Sequence, residues 1–153
     1  MTEHAGDPSD IRNWQRRPDG ITTSGRLQAG DLARLAALGV KHVINLALDS
    51  HPEALRNEAA LLAEQGIAYT HIPVPFDAPT HEHVAELEAA LAASEGPVHV
   101  HCIMNYRVTA FFYLLDLHNG VPPTEAARRM TCVWDPRRSN EPAALPWQRL
   151  LQR

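Results

Sequence analysis

Among its 153 residues the chain has only two cysteines, Cys102 and Cys132. That number excludes a disulfide framework, and with no Cys-x-x-Cys spacing it also excludes a zinc-ribbon type of site. No apolar run approaches the roughly 18–20 residues that cross a bilayer, and the first residues lack a basic-then-apolar signal pattern. Nor is there a basic block: the formal net charge of −4 is spread over interleaved acids and bases, so neither a nucleic-acid surface nor an anionic-membrane surface is expected. Repeats and low-complexity tracts are absent as well. These absences leave a soluble cytoplasmic protein as the expectation, and at 44% hydrophobic residues the length suits one domain. Residues 1–10, polar and aperiodic, read as a disordered tail, and 11–153 as the domain.

Apolar periodicity supplies the elements. A short strand is expected at Ile21-Thr-Thr, then a turn at Ser24-Gly25-Arg26 and a helix through Leu32, Leu35 and Leu38 stopped by Gly39. Val40–Leu46 is a β-branched run bounded by turn residues, hence a buried strand. Asp49-Ser50 looks like the cap of a helix carrying Leu55, Ala59 and Leu62 to Gly66, with Ile67–Ile72 as the next strand. A stiff loop containing Pro73, Pro75 and Pro79 holds Asp77, and Thr80 opens a helix. After Gly96-Pro97 come the strand Val98–His101, a nearly all-apolar helix from Thr109 to His118, a helix from Pro122-Pro123 to about Met130, and a last helix over Ala143–Gln152. Strands alternating with helices of this length predict an α/β fold, a mostly parallel sheet of four to five strands with helices on both faces. In such sheets ligands gather at the carboxyl ends of the strands.

Cys102 stands at such an end. The run Val98-His-Val-His-Cys-Ile-Met-Asn-Tyr-Arg-Val-Thr delivers it into a short loop closed by Arg107 and followed at once by a helix. Backbone N–H groups at a helix start, with the helix dipole behind them, favour an anion there and favour the thiolate form of a cysteine held beside them. Ile103, Met104, Asn105 and Tyr106 are the loop residues whose amides, with Arg107, would bind a phosphate or sulfate.

The order Ser-Gly-Arg, strand, helix, strand, Pro-rich loop with Asp, helix, then His-Cys-loop-Arg before a buried helix resembles the cysteine-dependent protein tyrosine and dual-specificity phosphatase superfamily, in particular its small bacterial branch. The resemblance runs from about Ile11 to the last helix. It implies a phosphoric monoester hydrolase acting through a phosphocysteine, with Cys102 as nucleophile, Arg107 as phosphoryl clamp and Asp77 as general acid, and Asp49 in reserve for that role. It also implies support from His101, from Thr109 and from the Ser24 turn. No cofactor is implied; a phosphorylated protein or a small phosphomonoester is the expected partner.

Two departures stand out. The family's usual loop has five residues between cysteine and arginine with a glycine midway, whereas this chain has four and places Asn105 where the glycine is expected. Asparagine is among the residues that best tolerate a left-handed backbone, so the sharp turn is feasible. Val108 replaces the hydroxyl residue that follows the arginine, with Thr109 one place later. Loop length alone also fits rhodanese-like sulfurtransferases, which would carry a persulfide on Cys102, and Val108 fits a non-catalytic anion-binding module. His81 and His83, two apart on a helix, face different ways and are not expected to share a metal. Cys132 reads as structural. Asp135, in Trp134-Asp135-Pro136, lies after the cysteine and is discounted as the acid, and Arg128, Arg129, Arg137 and Arg138 read as a solvated face.

Overall fold

The computed structural model describes residues 6–152. Strands β1 (Gln15–Arg16), β2 (Thr22–Ser24), β3 (His42–Asn45), β4 (Ala68–His71) and β5 (Val98–His101) form one sheet in the order β1-β2-β5-β3-β4. Edge strand β1 is antiparallel to β2; every other pairing is parallel, as expected of strands joined by helical crossovers. All four parallel strands therefore end on one side, and Ser24, Asn45, His71 and Cys102 collect there.

Alternation along the strands builds two cores. Ile44, Val98 and Val100 face one, filled by α3 (His81–Ala93), α4 (Tyr106–His118) and α6 (Leu145–Leu151). Val43 faces the other, under α1 (Asp31–Ala37) and α2 (Glu58–Glu64). Helix α4 is sealed on several sides: Val108, Ala110 and Phe111 have no exposed surface. Burying Phe111 alone stabilises the fold by about 2–3 kcal/mol. Helix α5 (Pro123–Thr131) packs against α4, and 3₁₀ turns at Pro136–Arg138 and Pro142–Ala144 lead into α6. Among the described residues no helix is long and apolar enough to cross a membrane.

Two expectations need correction. Helix α2 does not start at Asp49-Ser50. The segment after Leu48 runs through turns until Asn57, whose left-handed backbone (φ 59°) starts the helix at Glu58. Tertiary demand overrides the local cap signal, because Glu53 is drawn to Arg12 and Arg26 and Glu58 to His101. The last helix begins at Leu145, preceded by the 3₁₀ turn at Pro142–Ala144. Of the segment read as a tail, residues 1–5 lie outside the described residues; Asp7 accepts a bidentate pair from Arg16, Pro8 is buried and Asp10 pairs with Arg34.

His99, at the centre of the sheet, is fully buried between two hydroxyls. Ser24 Oγ donates to Gly25 O and so accepts from His99 Nε2, which leaves His99 Nδ1 to accept from Thr22. Burial, reinforced by the neighbouring His101, holds His99 well below its ordinary value of 6.5. The folded ring is therefore neutral at pH values where the unfolded chain binds a proton, so stability is complete above about pH 6.5 and declines as pH falls below it. His42, also lowered by burial, acts in the same direction. Between pH 7 and pH 5 the loss from His99 alone is expected to be about 2 kcal/mol, measurable by urea unfolding at the two values. Equal stability at both would contradict a neutral buried His99.

Candidate active site

The loop between β5 and α4 is short, and its shape is set from outside. Asn105 adopts the left-handed conformation (φ 67°) expected of it, which turns the chain sharply into α4. Each carbonyl of the loop is claimed by a different neighbour. Cys102 O accepts from His101 Nδ1 (3.2 Å), and Ile103 O from the Arg26 amide (2.9 Å) and the Arg12 guanidinium (3.2 Å). Met104 O accepts from Asn13 Nδ2 (2.9 Å), and Asn105 O from the Thr109 amide and hydroxyl. Tyr106 O accepts from the Trp134 indole N–H (2.9 Å). In a trans peptide the C=O and N–H point in opposite directions, so fastening these carbonyls outward turns the following amides inward. The N–H groups of residues 103–107 indeed find no protein acceptor among the described residues. The result is a nest of free donors at the start of a thirteen-residue helix, the arrangement that binds an anion.

Arg107 closes the nest. Its residue is 6% exposed, its Nε has no hydrogen-bond partner, and no carboxylate lies within ion-pair distance among the described residues. The Phe76 ring faces the guanidinium, 5.4 Å from Cζ. A buried cation without a counter-charge is costly unless an anion completes it. Cys102 has no exposed surface and lies at the base of the same loop, its amide held by Ser24 O at 3.3 Å.

Behind the cysteine is a buried acid. Glu58 Oε2 stands 2.6 Å from His101 Nε2, while Glu58 Oε1 accepts from Asn45 Nδ2 (3.3 Å). This fixes the His101 ring so that its other nitrogen meets Cys102 O. The Ser24-Gly25-Arg26 turn packs directly on the loop, and a Cβ at Gly25 would come within 2.5 Å of Ile103 O. Only glycine permits that approach.

Asp77 is exposed in the Pro-rich loop, immediately after Phe76, whose ring lies against Arg107; the segment carrying the expected acid is thus brought to the Cys102–Arg107 loop. Asp49 is not. It lines a groove with His51, Glu58 and Tyr69 whose walls include neither Cys102 nor Arg107. Thr109 is also placed differently from expectation, since its single hydroxyl proton is directed to the carbonyls of Asn105 (2.9 Å) and Tyr106 (3.3 Å) in the first helical turn. Cys132 is exposed rather than structural, and both cysteines are free. His83 closes the capping box of α3 with Thr80. Among the described residues no group of three His, Cys, Asp or Glu could hold a metal. Asp135 is engaged by Arg137 and Arg138, while Arg128 and Arg129 share Glu125, which they hold down to about 2.

Arg12, Asn13, Glu58 and Trp134 are the residues missed in the sequence. Trp134 stacks on Tyr106 (centroids 4.4 Å apart, 7° between planes) and meets Phe76 at 5.9 Å. Only Trp134 carried a hint, as an aromatic near the chain end. The other three had none, because their partners lie 43–92 residues away.

The geometry agrees with the relatives. Residues 16–115 match the family model described as the phosphatase-like domain of beta-lactamase hydrolase-like protein. A crystal structure of a candidate phosphatase (DUF442) from Shewanella putrefaciens CN-32 is 35% identical, covering 94% of this chain and 91% of that one with a TM-score of 0.80. At lower identity the fold alone is shared. A candidate phosphatase from Neisseria meningitidis Z2491 is 22% identical (74% and 82% covered, TM-score 0.66). TpbA of P. aeruginosa, solved in complex with phosphotyrosine, is 24% identical (77% and 71% covered, TM-score 0.64). No curated protein matches the chain. A single α/β domain with the fold of protein tyrosine phosphatases, an anion nest at its strand ends and a match over most of its length together mean that this chain belongs to the phosphatase-like domain family of beta-lactamase hydrolase-like proteins.

Proposed function

We propose that the protein hydrolyses phosphomonoesters through a covalent phosphocysteine. The observation that carries this reading is Arg107, a buried guanidinium with no carboxylate partner among the described residues, set beside free loop amides and on the same loop as Cys102. A phosphoryl group supplies the missing charge and accepts from both donor sets. The Cys102 thiolate attacks phosphorus, forming the S–P bond as the ester P–O bond breaks. The bonding pair leaves on the ester oxygen, which takes a proton from Asp77. Water then attacks phosphorus and gives its proton to Asp77, the S–P bond breaks, and inorganic phosphate and thiolate are regenerated. A phosphorylated protein or small phosphomonoester is the substrate class, and aryl phosphates suit the test because a protein of this fold, TpbA, binds phosphotyrosine.

The test is phosphate release from p-nitrophenyl phosphate, run beside thiosulfate-to-cyanide sulfur transfer. Wild type is expected to release phosphate and not to transfer sulfur, and Asp77→Asn to lose about 10²–10⁴-fold in kcat on phenyl phosphate, whose poor leaving group needs the proton. Sulfur transfer without phosphate release would replace this reading with persulfide chemistry, and silence in both assays would leave an anion-binding module.

A further inference from the structure

Phe76 and Asp77 occupy the corner of a tight turn closed by the Ala78 amide on Pro75 O (3.1 Å). The peptide joining them is the hinge of that turn: rotating it about its flanking bonds changes little else in the chain but re-aims the Asp77 side chain. Trp147 holds it: fully buried in α6 and 71 residues beyond Phe76, it donates its indole N–H to Phe76 O at 2.8 Å. Its ring also packs against the Phe76 ring at 5.4 Å, and Phe111 backs it from α4 at 5.6 Å. The same Phe76 ring faces Arg107. Pro75 and Pro79 stiffen the loop on either side, so the peptide ahead of Asp77 is the part left for Trp147 to fix.

We infer that Trp147 is the positioning residue of the general acid: its N–H locks the Phe76–Asp77 peptide so that the Asp77 carboxyl is presented to the leaving oxygen. The inference rests on the assignment of Asp77 as the acid. A buried indole is ordinarily a packing residue, and the distinguishing feature here is that its single donor is spent on the peptide preceding the acid rather than within its own helix.

The experiment measures kcat and kcat/KM across a series of aryl phosphates, from p-nitrophenyl to phenyl phosphate, for wild type, Asp77→Asn and Trp147→Phe. Proton donation matters little for a good leaving group and much for a poor one. Loss of the positioning hydrogen bond is therefore expected to cost kcat about 10-fold or more on phenyl phosphate and under about 3-fold on p-nitrophenyl phosphate, with inhibition by inorganic phosphate unchanged. Asp77→Asn should show the same steepening, more strongly. A uniform loss across the series in Trp147→Phe, or none, while Asp77→Asn steepens, overturns the role of Trp147 and leaves the acid in place. A flat series in Asp77→Asn removes the acid assignment itself. Should Trp147→Phe not fold, 3-benzothienylalanine at position 147 takes its place, since it keeps the bicyclic ring and lacks only the N–H that reaches Phe76 O; steepening supports the inference and a flat response overturns it.

Discussion

Replacing Cys102 by serine is expected to abolish phosphate release, by about 10⁴-fold or more, while leaving the affinity for inorganic phosphate within about 3-fold of wild type. The two halves of this result have separate physical origins. Serine keeps the size and place of the side chain at the base of the loop but supplies no thiolate, so the first chemical step is lost. Binding depends on Arg107 and the amides of 103–107, none of which the change touches. Those amides are oriented by carbonyls fastened to Arg12, Asn13, Arg26, Thr109 and Trp134, at a distance from the sulfur. A wild-type sample denatured during turnover should also carry a phosphoryl mass on the peptide containing Cys102. Turnover in Cys102→Ser comparable to wild type would remove the phosphocysteine mechanism, and a collapse of phosphate affinity would mean that the sulfur helps to shape the nest.

Arg107→Met is expected to do opposite things to activity and to stability. In kcat/KM it should cost about 10³–10⁵-fold, the range in which a guanidinium acts on a phosphoryl transition state. In phosphate-free and sulfate-free buffer the same change should stabilise the fold by about 1–2 kcal/mol, because it removes a 6%-exposed cation with no counter-ion among the described residues and leaves an apolar side chain that reaches about as far as the arginine Nε. Methionine sulfur against the Phe76 ring offsets the cation–π contact that is lost. Added phosphate should then raise the melting temperature of wild type and not that of the variant. A variant that melts below wild type without phosphate would show that Arg107 is compensated in the free protein. Such a trade of stability for function is expected wherever a site keeps an incomplete charge ready for its ligand.

Much of this site was legible in the chain because its parts are local. Strand, cysteine, loop, arginine and helix lie between Val98 and His118, and a left-handed turn at Asn105 follows from the tolerance of that side chain. The Pro-rich loop was legible for the same reason. What stayed hidden is held at long range: Glu58 meets His101 from the head of α2, and Asn13 and Arg12 meet the loop from some ninety residues away. The misplaced start of α2 is the same effect on the fold. Asp49-Ser50 is a sound local cap, and the segment after it is engaged instead by distant partners, Glu53 by Arg12 and Glu58 by His101. Thr109 illustrates the converse, a hydroxyl at a promising sequence position whose proton the adjacent carbonyls take first.

The span of the family match bears on where this protein can be cut. Residues 16–115 contain the cysteine, the arginine and the aspartate, and would look sufficient for catalysis by any inventory of reactive groups. They leave out Arg12 and Asn13 on one side and Trp134 and Trp147 on the other, so a fragment with those limits would carry the reagents without the frame: loop carbonyls released at Ile103, Met104 and Tyr106, and the turn before Asp77 unheld. On the proposed mechanism the smallest catalytic unit is therefore larger than the matched segment, and it is bounded by the residues that aim the chemistry.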